Sequence, residues 1–356
     1  MLVCSVCYKS WEENGSSWTR TGNNKIDYRC KCGSKRRPQE GVECKGLVNE
    51  TFDIPVGLKV FGQPKSWVLP NNSYQNKKSF RKHIILPDKQ VTPDSPTEHL
   101  GWIGQYIAEK RPDVIVDLGD FADMESLSSY DKGKTSFEGR RYVKDVQAAK
   151  NAMDIMTKPF RNIEGYDPEM HLVEGNHEYR ITRAVEDDQR LEGTLSIDNL
   201  EYESFGWRVH KFLEVIEVDG IHYSHYFCNP LSGKSIGGES ILLRLKNIGF
   251  SFVMGHQQIY LTGIRSLNNG KRIRGIVQGA CYLHDEDYRG PQSNNEWRGI
   301  FVLHEVQDGD YSLMEVSLDY LCRRYEGMPV WEFMQKNYPE IFAKSTWMKH
   351  QRDANA

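Results

Sequence analysis

Short apolar runs alternate along the chain with stretches in which apolar residues recur every three or four positions, and several of the runs stop on a polar residue. His83-Ile84-Ile85-Leu86-Pro87-Asp88 reads as a strand that delivers a carboxylate at its end. The spacing predicts a helix over 96–110, opened by Ser95 or Thr97, with Leu100, Ile103 and Ile107 on one face. Pro112 to Asp120 is the next strand and again ends on Asp, so strand, helix and strand fit a parallel crossover. Residues 138–160 are predicted helical, with Val143, Val146, Ala149, Met153 and Met156 as a core stripe. Leu172-Val173-Glu174-Gly175-Asn176-His177-Glu178 is a third strand, stopping at a tight turn that presents an amide beside an imidazole. The carboxyl ends of strands are where open α/β sheets place their ligands.

Further on, residues 212–225 alternate through Phe212, Val215, Val218 and Ile221 to His222, Tyr223, Ser224 and His225. A helix over 235–248 leads into Phe250 to Gln258. Strands at 259–264, 273–279, 300–306 and 311–316 are expected to form a second, more antiparallel sheet, and 329–349 a terminal helical segment. The organisation expected is a small module over 1–45, a linker with short strands over 46–81, a large α/β domain over 82–328, and a helical segment with tail over 329–356.

A length of 356 residues allows one large catalytic domain plus a small module. The formal net charge of -3 argues against wholesale coating of nucleic acid, so such binding would need a local patch. No apolar run approaches a membrane span and the amino terminus lacks the apolar centre of a signal peptide, so a cytoplasmic location is expected.

Cysteine use changes the picture at the amino end. Cys4-x2-Cys7 and Cys30-x-Cys32 are two close pairs separated by 22 residues, as suits a tetrahedral structural Zn²⁺ in a segment too short to build a core. Cys44 is an alternative ligand, whereas Cys228, Cys281 and Cys322 read as isolated thiols. Arg20, Lys25, Arg29, Lys31, Lys35, Arg36 and Arg37 are interleaved with Trp11, Trp18 and Tyr28, a mixture that holds phosphates and stacks bases, or else is simply a solvated basic surface. The Tyr28-Arg29-Cys30-Lys31-Cys32 run resembles the second knuckle of zinc ribbons in transposase-like DNA-binding proteins.

Collected in order, the polar residues at strand ends are Asp88 with Gln90, Gly119-Asp120, Gly175-Asn176-His177, His225, and Gly255-His256 with Gln258. This order resembles the five-block signature of calcineurin-like metallophosphoesterases, and Gly175 to Arg180 looks like the stand-alone enzymes of that kind encoded by bacteriophages. The resemblance implies an α/β four-layer sandwich, two mixed β-sheets flanked by helices, preceded here by the zinc-ribbon-like module. It implies a two-metal site bridged by Asp120, with one metal on Asp120, Asn176, His225 and His256 and the other on Asp88, Gln90, Asp120 and Gln258. His177 takes the place of the general acid in in-line attack on phosphorus by a metal-bound hydroxide, and Arg180 and Arg183 are candidates for meeting a substrate phosphate.

Gln90 and Gln258 stand where the family usually has His, and both fall in the same half of the site. An amide oxygen is harder than an imidazole nitrogen, so that half should favour Mn²⁺ or Mg²⁺ over Zn²⁺ or Fe²⁺ and hold it less tightly. The reading favoured is a phosphodiesterase or nuclease with nucleic acid as partner, motivated by the basic module and by Arg265, Lys271, Arg272 and Arg274 after the last block. A phosphomonoesterase and a catalytically dead binding module are the alternatives these residues leave open.

Overall fold

The computed structural model describes residues 2–4, 10–19, 26–40, 80–129, 133–286 and 289–354. The chain divides into two compact units, Met1–Lys77 and Lys78–Ala356. In the first, β1 (Leu2–Val3) pairs antiparallel with β4 (Gln39–Glu40), and β2 (Gly15–Thr19) with β3 (Ile26–Cys30), while α1 (Trp11–Asn14) is a single turn. Its small core is Cys4, Trp11 and Cys30 with Tyr28 packed against them. Cys7, Cys44, Arg20, Lys25 and nearly all of the expected linker lie outside the described residues.

The second unit holds two mixed sheets. β5 (Arg81–Leu86), β6 (Val114–Asp117), β7 (Glu169–Val173) and β8 (Arg208–His210) run parallel, joined by crossover helices α2 (Glu98–Lys110) and α3 (Tyr142–Arg161). The other sheet contains β9 (Ile216–Val218), β10 (Ile221–Ser224), β11 (Phe252–Met254), β12 (Leu261–Ser266) and β13 (Arg272–Val277), in the order β12-β13-β11-β10-β9. β10, β11 and β13 are parallel neighbours and the two edges are antiparallel.

Strand periodicity assigns each residue to a layer, because successive side chains of a strand point to opposite faces. On β5, Ile84 and Leu86 join the core under the helices, whereas Ile85 joins the core between the sheets; on β6, Ile115 takes the first side and Val114 and Val116 the second. The inter-sheet core also takes Val218, Ile221, Tyr223, Val253 and Ile276 from the second sheet. The outer face of that sheet, through Phe252, Met254 and Val277, packs on Leu245 of α5 (Ile241–Ile248). The result is a four-layer sandwich of helices, sheet, sheet and helix. Central strands buried on both faces have no polar side to show, which is why they read as unbroken apolar runs.

Three expectations are corrected. The hairpin of β14 (Gly299–Gln307) and β15 (Asp310–Ser317) extends the first sheet, β14 pairing antiparallel with β5, and does not join the second. Its length and alternation specify a hairpin but not which sheet edge receives it. α5 starts only at Ile241: Gly238 has a left-handed φ of +99°, and the Ser240 side chain caps the helix by accepting from the Leu243 amide. Val143 is 71% exposed at the first turn of α3, while Ala149, Met153 and Met156 are buried as expected. Beyond α4 (Tyr179–Asp187) and the short α6 (Gly290–Ser293), the terminal helices α7 (Leu318–Glu326), α8 (Val330–Asn337), α9 (Pro339–Lys344) and α10 (Thr346–Ala354) supply Leu321, Phe333, Met334, Trp347 and Met348 to the same core as α2 and α3.

Candidate metal centre

The five polar blocks come from five strand ends. Asp88 follows β5, Asp120 follows β6, Asn176 follows β7, His225 directly follows β10, and His256 follows β11, so both sheets contribute. Parallel alignment within each sheet brings these ends to the same side. Ligand atoms of Asp120, His225 and His256 all lie within 4.8 Å of one another. His225 Nε2 is 3.3 Å from Asp120 Oδ2 and 2.9 Å from Asn176 Oδ1, and its Nδ1 is held by the Leu118 carbonyl at 2.8 Å. That bond makes Nδ1 the protonated nitrogen and turns Nε2 toward the cluster. His222, the alternative three residues earlier, stacks on Phe250 at a centroid distance of 3.9 Å.

Glycines in the blocks have a steric cause. A Cβ on Gly175 would sit 2.0 Å from Asp120 Oδ1, and one on Gly255 would sit 2.4 Å from Asp88 Oδ1. Each carboxylate thus presses on a backbone that no side chain permits. The backbone is also strained where the ligands sit: Gln90, Asp120, His256 and Gln258 have φ of 46°, 47°, 65° and 54°. Left-handed non-glycine residues persist only where the surroundings enforce them, and functional sites are where they gather.

Glu178, the residue after His177, anchors these turns and carries no role in the sequence reading. Its carboxylate accepts from the amides of Asp120, Ala122 and Gly175, each at 2.9 Å, so it ties the turn after β6 to the turn after β7. Burial, with the Asp120 charge beside it, raises its pKa to about 7. Lys89 is a second residue missed: fully buried, it donates to Pro87 O at 2.6 Å and Asp117 Oδ1 at 2.9 Å. Asp117 in turn accepts from the Gly119 amide at 3.1 Å and fixes the approach to Asp120. The only sequence signals were an acid closing the Gly-Asn-His run and a lysine between two candidate ligands.

His177 lies 3.8 Å from Asp120 Oδ2 through Nε2, its amide donates to Asp120 Oδ1 at 2.9 Å, and its Nδ1 bonds to Asp123 Oδ1. Burial alone would lower its pKa, but the carboxylates of Asp120 and Asp123 outweigh that and raise it to about 9. For His225 too, burial is outweighed by Asp120 and the pKa rises to about 9, while burial and the His225 charge push His256 down to about 4. Burial opposes ionisation of Asp120, yet His177 and His225 hold it well below the usual carboxylate range. Asp88, buried and facing Asp120, is raised to about 6.

The donors fit divalent metals. Asp120, Asn176, His225 and His256 supply carboxylate, amide oxygen and imidazole around one point, and Asp88 Oδ2 is buried with no hydrogen-bond partner among the described residues. The second half differs from its expectation at Gln258, whose side-chain oxygen already accepts from the Tyr282 hydroxyl at 2.9 Å and from the Arg289 guanidinium. Gln90 is buried, with its backbone N–H donating to the Asp120 carbonyl at 2.8 Å. Arg180 donates to the Asp123 carbonyl at 2.7 Å and reaches within 3.4 Å of His177 Nε2. Arg183, one turn further on α4, makes no hydrogen bond or ion pair with the described residues. Of the hairpin cations, Arg272 and Arg274 both pair with Asp310, which leaves Arg265 and Lys271 for other partners.

At the amino end, sulfur atoms of Cys4, Cys30 and Cys32 also lie within 4.8 Å of one another. Arg29 sits 5.5 Å over the Trp18 ring, and Lys31, Lys35, Arg36 and Arg37 are exposed. Among the described residues no helix is long and apolar enough to cross a membrane.

No family model matches the chain. Over 100 residues it is 29% identical to the Gene 54 protein of Mycobacterium phage L5 and 28% identical to that of Mycobacterium phage D29. Each match covers 28% of this chain and 37% of the relative, so the chain spans little more than a third of the curated relatives it matches. Among solved structures, a Streptococcus pneumoniae protein described as a predicted phosphoesterase aligns over 67% of this chain and 100% of its own, with a TM-score of 0.26 and 10% identity. Another crystal structure aligns over 67% of this chain and 99% of its own, with a TM-score of 0.34 and 14% identity.

Proposed function

We propose that the chain is a metal-dependent phosphoesterase acting on phosphodiesters of nucleic acid. The observation that carries this reading is the convergence of Asp120, His225 and His256 at the ends of strands from two sheets, with His177 beside them. Asp120, Asn176, His225 and His256 would hold one divalent metal, and Asp88 with Asp120 would form the core of a second, weaker position. Bound there, the metals supply Lewis-acid stabilisation of charge on phosphoryl oxygens and a lowered pKa for an attacking water.

The chain's own residues do the rest. Asp123 holds His177 through Nδ1, so Nε2 faces the cluster. His177 is then the acid that delivers a proton from Nε2 to the departing alkoxide. Arg180 steadies this arrangement through Asp123, and Arg183 is free to meet a phosphate oxygen. In the amino-terminal module, Cys4, Cys30 and Cys32 would hold a structural Zn²⁺ with a fourth ligand, and Arg29 over Trp18 together with the exposed Lys31, Lys35, Arg36 and Arg37 would give salt-sensitive contacts to a phosphate backbone.

The test compares hydrolysis of bis(p-nitrophenyl) phosphate, p-nitrophenyl phosphate and labelled DNA with Mn²⁺, Mg²⁺ or Zn²⁺. Diester and DNA cleavage should be metal-dependent, and both should fall by about 10²–10⁴ in His177→Ala and at least as far in Asp120→Asn. A triple Lys35→Gln, Arg36→Gln, Arg37→Gln variant should weaken DNA binding and leave the small diester untouched. Turnover of the monoester alone would make the enzyme a phosphatase; no turnover with any metal would make the fold a binding module.

A further inference from the structure

Beside the candidate metal cluster stands a wall of three aromatic rings, Tyr179, Phe212 and Tyr226. Tyr179 and Phe212 stack face to face at a centroid distance of 4.7 Å and an interplanar angle of 24°. Phe212 meets Tyr226 edge-on at 5.6 Å, and Tyr226 lies against His256 at 4.6 Å and His225 at 5.8 Å. All three rings are half-buried, and neither Tyr179 nor Phe212 belongs to any hydrophobic core of the unit. Neither the Tyr179 nor the Tyr226 hydroxyl bonds to a described residue. Tyr226 also packs against the core on the outer face of the second sheet, whereas Tyr179 and Phe212, half-buried and outside the cores, leave ring area for a ligand to cover.

Position on α4 says what kind of ligand. Tyr179 and Arg183 are four residues apart, so they lie on one face of the helix about one turn apart. Arg183 has no partner among the described residues, whereas Arg180, three residues before it, is committed to Asp123 and His177. A flat ring and an uncommitted guanidinium about one turn apart on a helix that starts beside the metal cluster are the two kinds of group that a base and its adjoining phosphate require. Single-strand binders combine these two elements, because every base has a π-face and every linkage a charge.

We infer that Tyr179, Phe212 and Tyr226 form a base-stacking wall that receives an unpaired nucleobase next to the bond to be cut, with Arg183 on the adjoining phosphate. The inference rests on the phosphodiesterase reading and narrows it to single-stranded or unpaired nucleic acid. A base inside a duplex has both faces covered by its neighbours and cannot enter such a wall.

The experiment is fluorescence anisotropy of the full chain in EDTA with two probes, a labelled thymidine octamer and the same backbone with every base replaced by an abasic site. The wild type should prefer the thymidine probe by about ten-fold, the scale of one base–aromatic stack. Phe212→Leu should abolish the preference without changing affinity for the abasic probe, and Phe212→Trp should restore it. Arg183→Gln should weaken both probes alike. Circular dichroism confirms that each variant is folded. Equal affinity of the wild type for both probes, or a preference that survives both Phe212→Leu and Tyr179→Leu, overturns the inference. Metal-dependent hydrolysis of bis(p-nitrophenyl) phosphate, measured on the same preparations, reports separately on the phosphodiesterase reading, so the two fail in distinguishable ways.

Discussion

The two halves of the candidate metal centre descend from the same pattern of strand ends but are not built alike. Around Asp120, Asn176, His225 and His256 the donors meet, with Leu118 fixing the His225 ring and Glu178 fixing the turns beneath. Around Asp88 one carboxylate oxygen waits without a partner, yet Gln258 already accepts from Tyr282 and Arg289. An amide oxygen with two good donors has little reason to exchange them for a metal, since both donors would then be left unsatisfied. Residue type alone suggested a second half that is weaker because amides are poor ligands. Its geometry adds another cause, that one of the amides is occupied.

The sharpest way to break this contrast is at Gly175. Gly175→Ala places a Cβ on Asp120 Oδ1 and against the Asp120 amide, so Asp120 must move from its present position. Displacements of about 1 Å at a reacting centre cost on the order of 10²-fold in rate. Diester hydrolysis should fall by at least that factor, and Mn²⁺ affinity, read by calorimetric titration, should fall with it. Unchanged affinity would mean that the position of Asp120 does not define the stronger half.

A smaller effect is expected at Gln258. Gln258→His removes the acceptor used by Tyr282 and Arg289 and offers an imidazole in its place. Mn²⁺ is the suitable probe because it disfavours thiolates and so ignores the cysteine cluster. The titration should show the second equivalent binding about ten-fold more tightly, the scale of change seen when a site's supporting contacts are altered. Thermal stability should fall slightly, by about 1 kcal/mol for the lost hydrogen bonds. If the wild type already binds two Mn²⁺ with equal affinity, the two halves are not different.

The smallest effect separates titration of the fold from that of the site. His99 is buried in α2, and burial, reinforced by the charge of His284, lowers its pKa to about 3. Its unfolded value is about 6.5, so between those limits the unfolded chain holds the extra proton and stability falls as pH falls. Stability is therefore full above about 6.5 and declines by at most about 1.4 kcal/mol per pH unit below it. His99→Leu should flatten that acid limb by one proton in urea unfolding between pH 7.5 and 5, with hydrolysis at pH 7.5 unchanged. An identical slope in the variant would mean that His99 contributes nothing to acid sensitivity.

Much of the main unit was legible because its local signals agree. The strands β5, β6, β7 and β11 are apolar runs ending in polar residues, and Gly-Asp, Gly-Asn-His and Gly-His mark the turns after the last three. His225 was legible over His222 from its place at the strand end. The role of Glu178 was not, because an acid after His177 could as well face solvent; only the three amides converging on it identify an anchor. Val143 looked like part of a core stripe, but steps of three residues drift round a helix of 3.6 residues per turn, which carries Val143 off the face that buries Ala149, Met153 and Met156.

By itself, then, the sequence determined the element types and the set of donor residues, because these depend on backbone sterics and side-chain chemistry within a few positions. Tertiary structure alone decided that β14 and β15 complete the first sheet, that Asp117 pairs with a buried lysine, that Gln258 faces Tyr282 and Arg289, and that Tyr179 stacks on Phe212. Each of those pairings joins residues distant in the chain through space left by the packing of two sheets, and no local pattern encodes which groups will meet there.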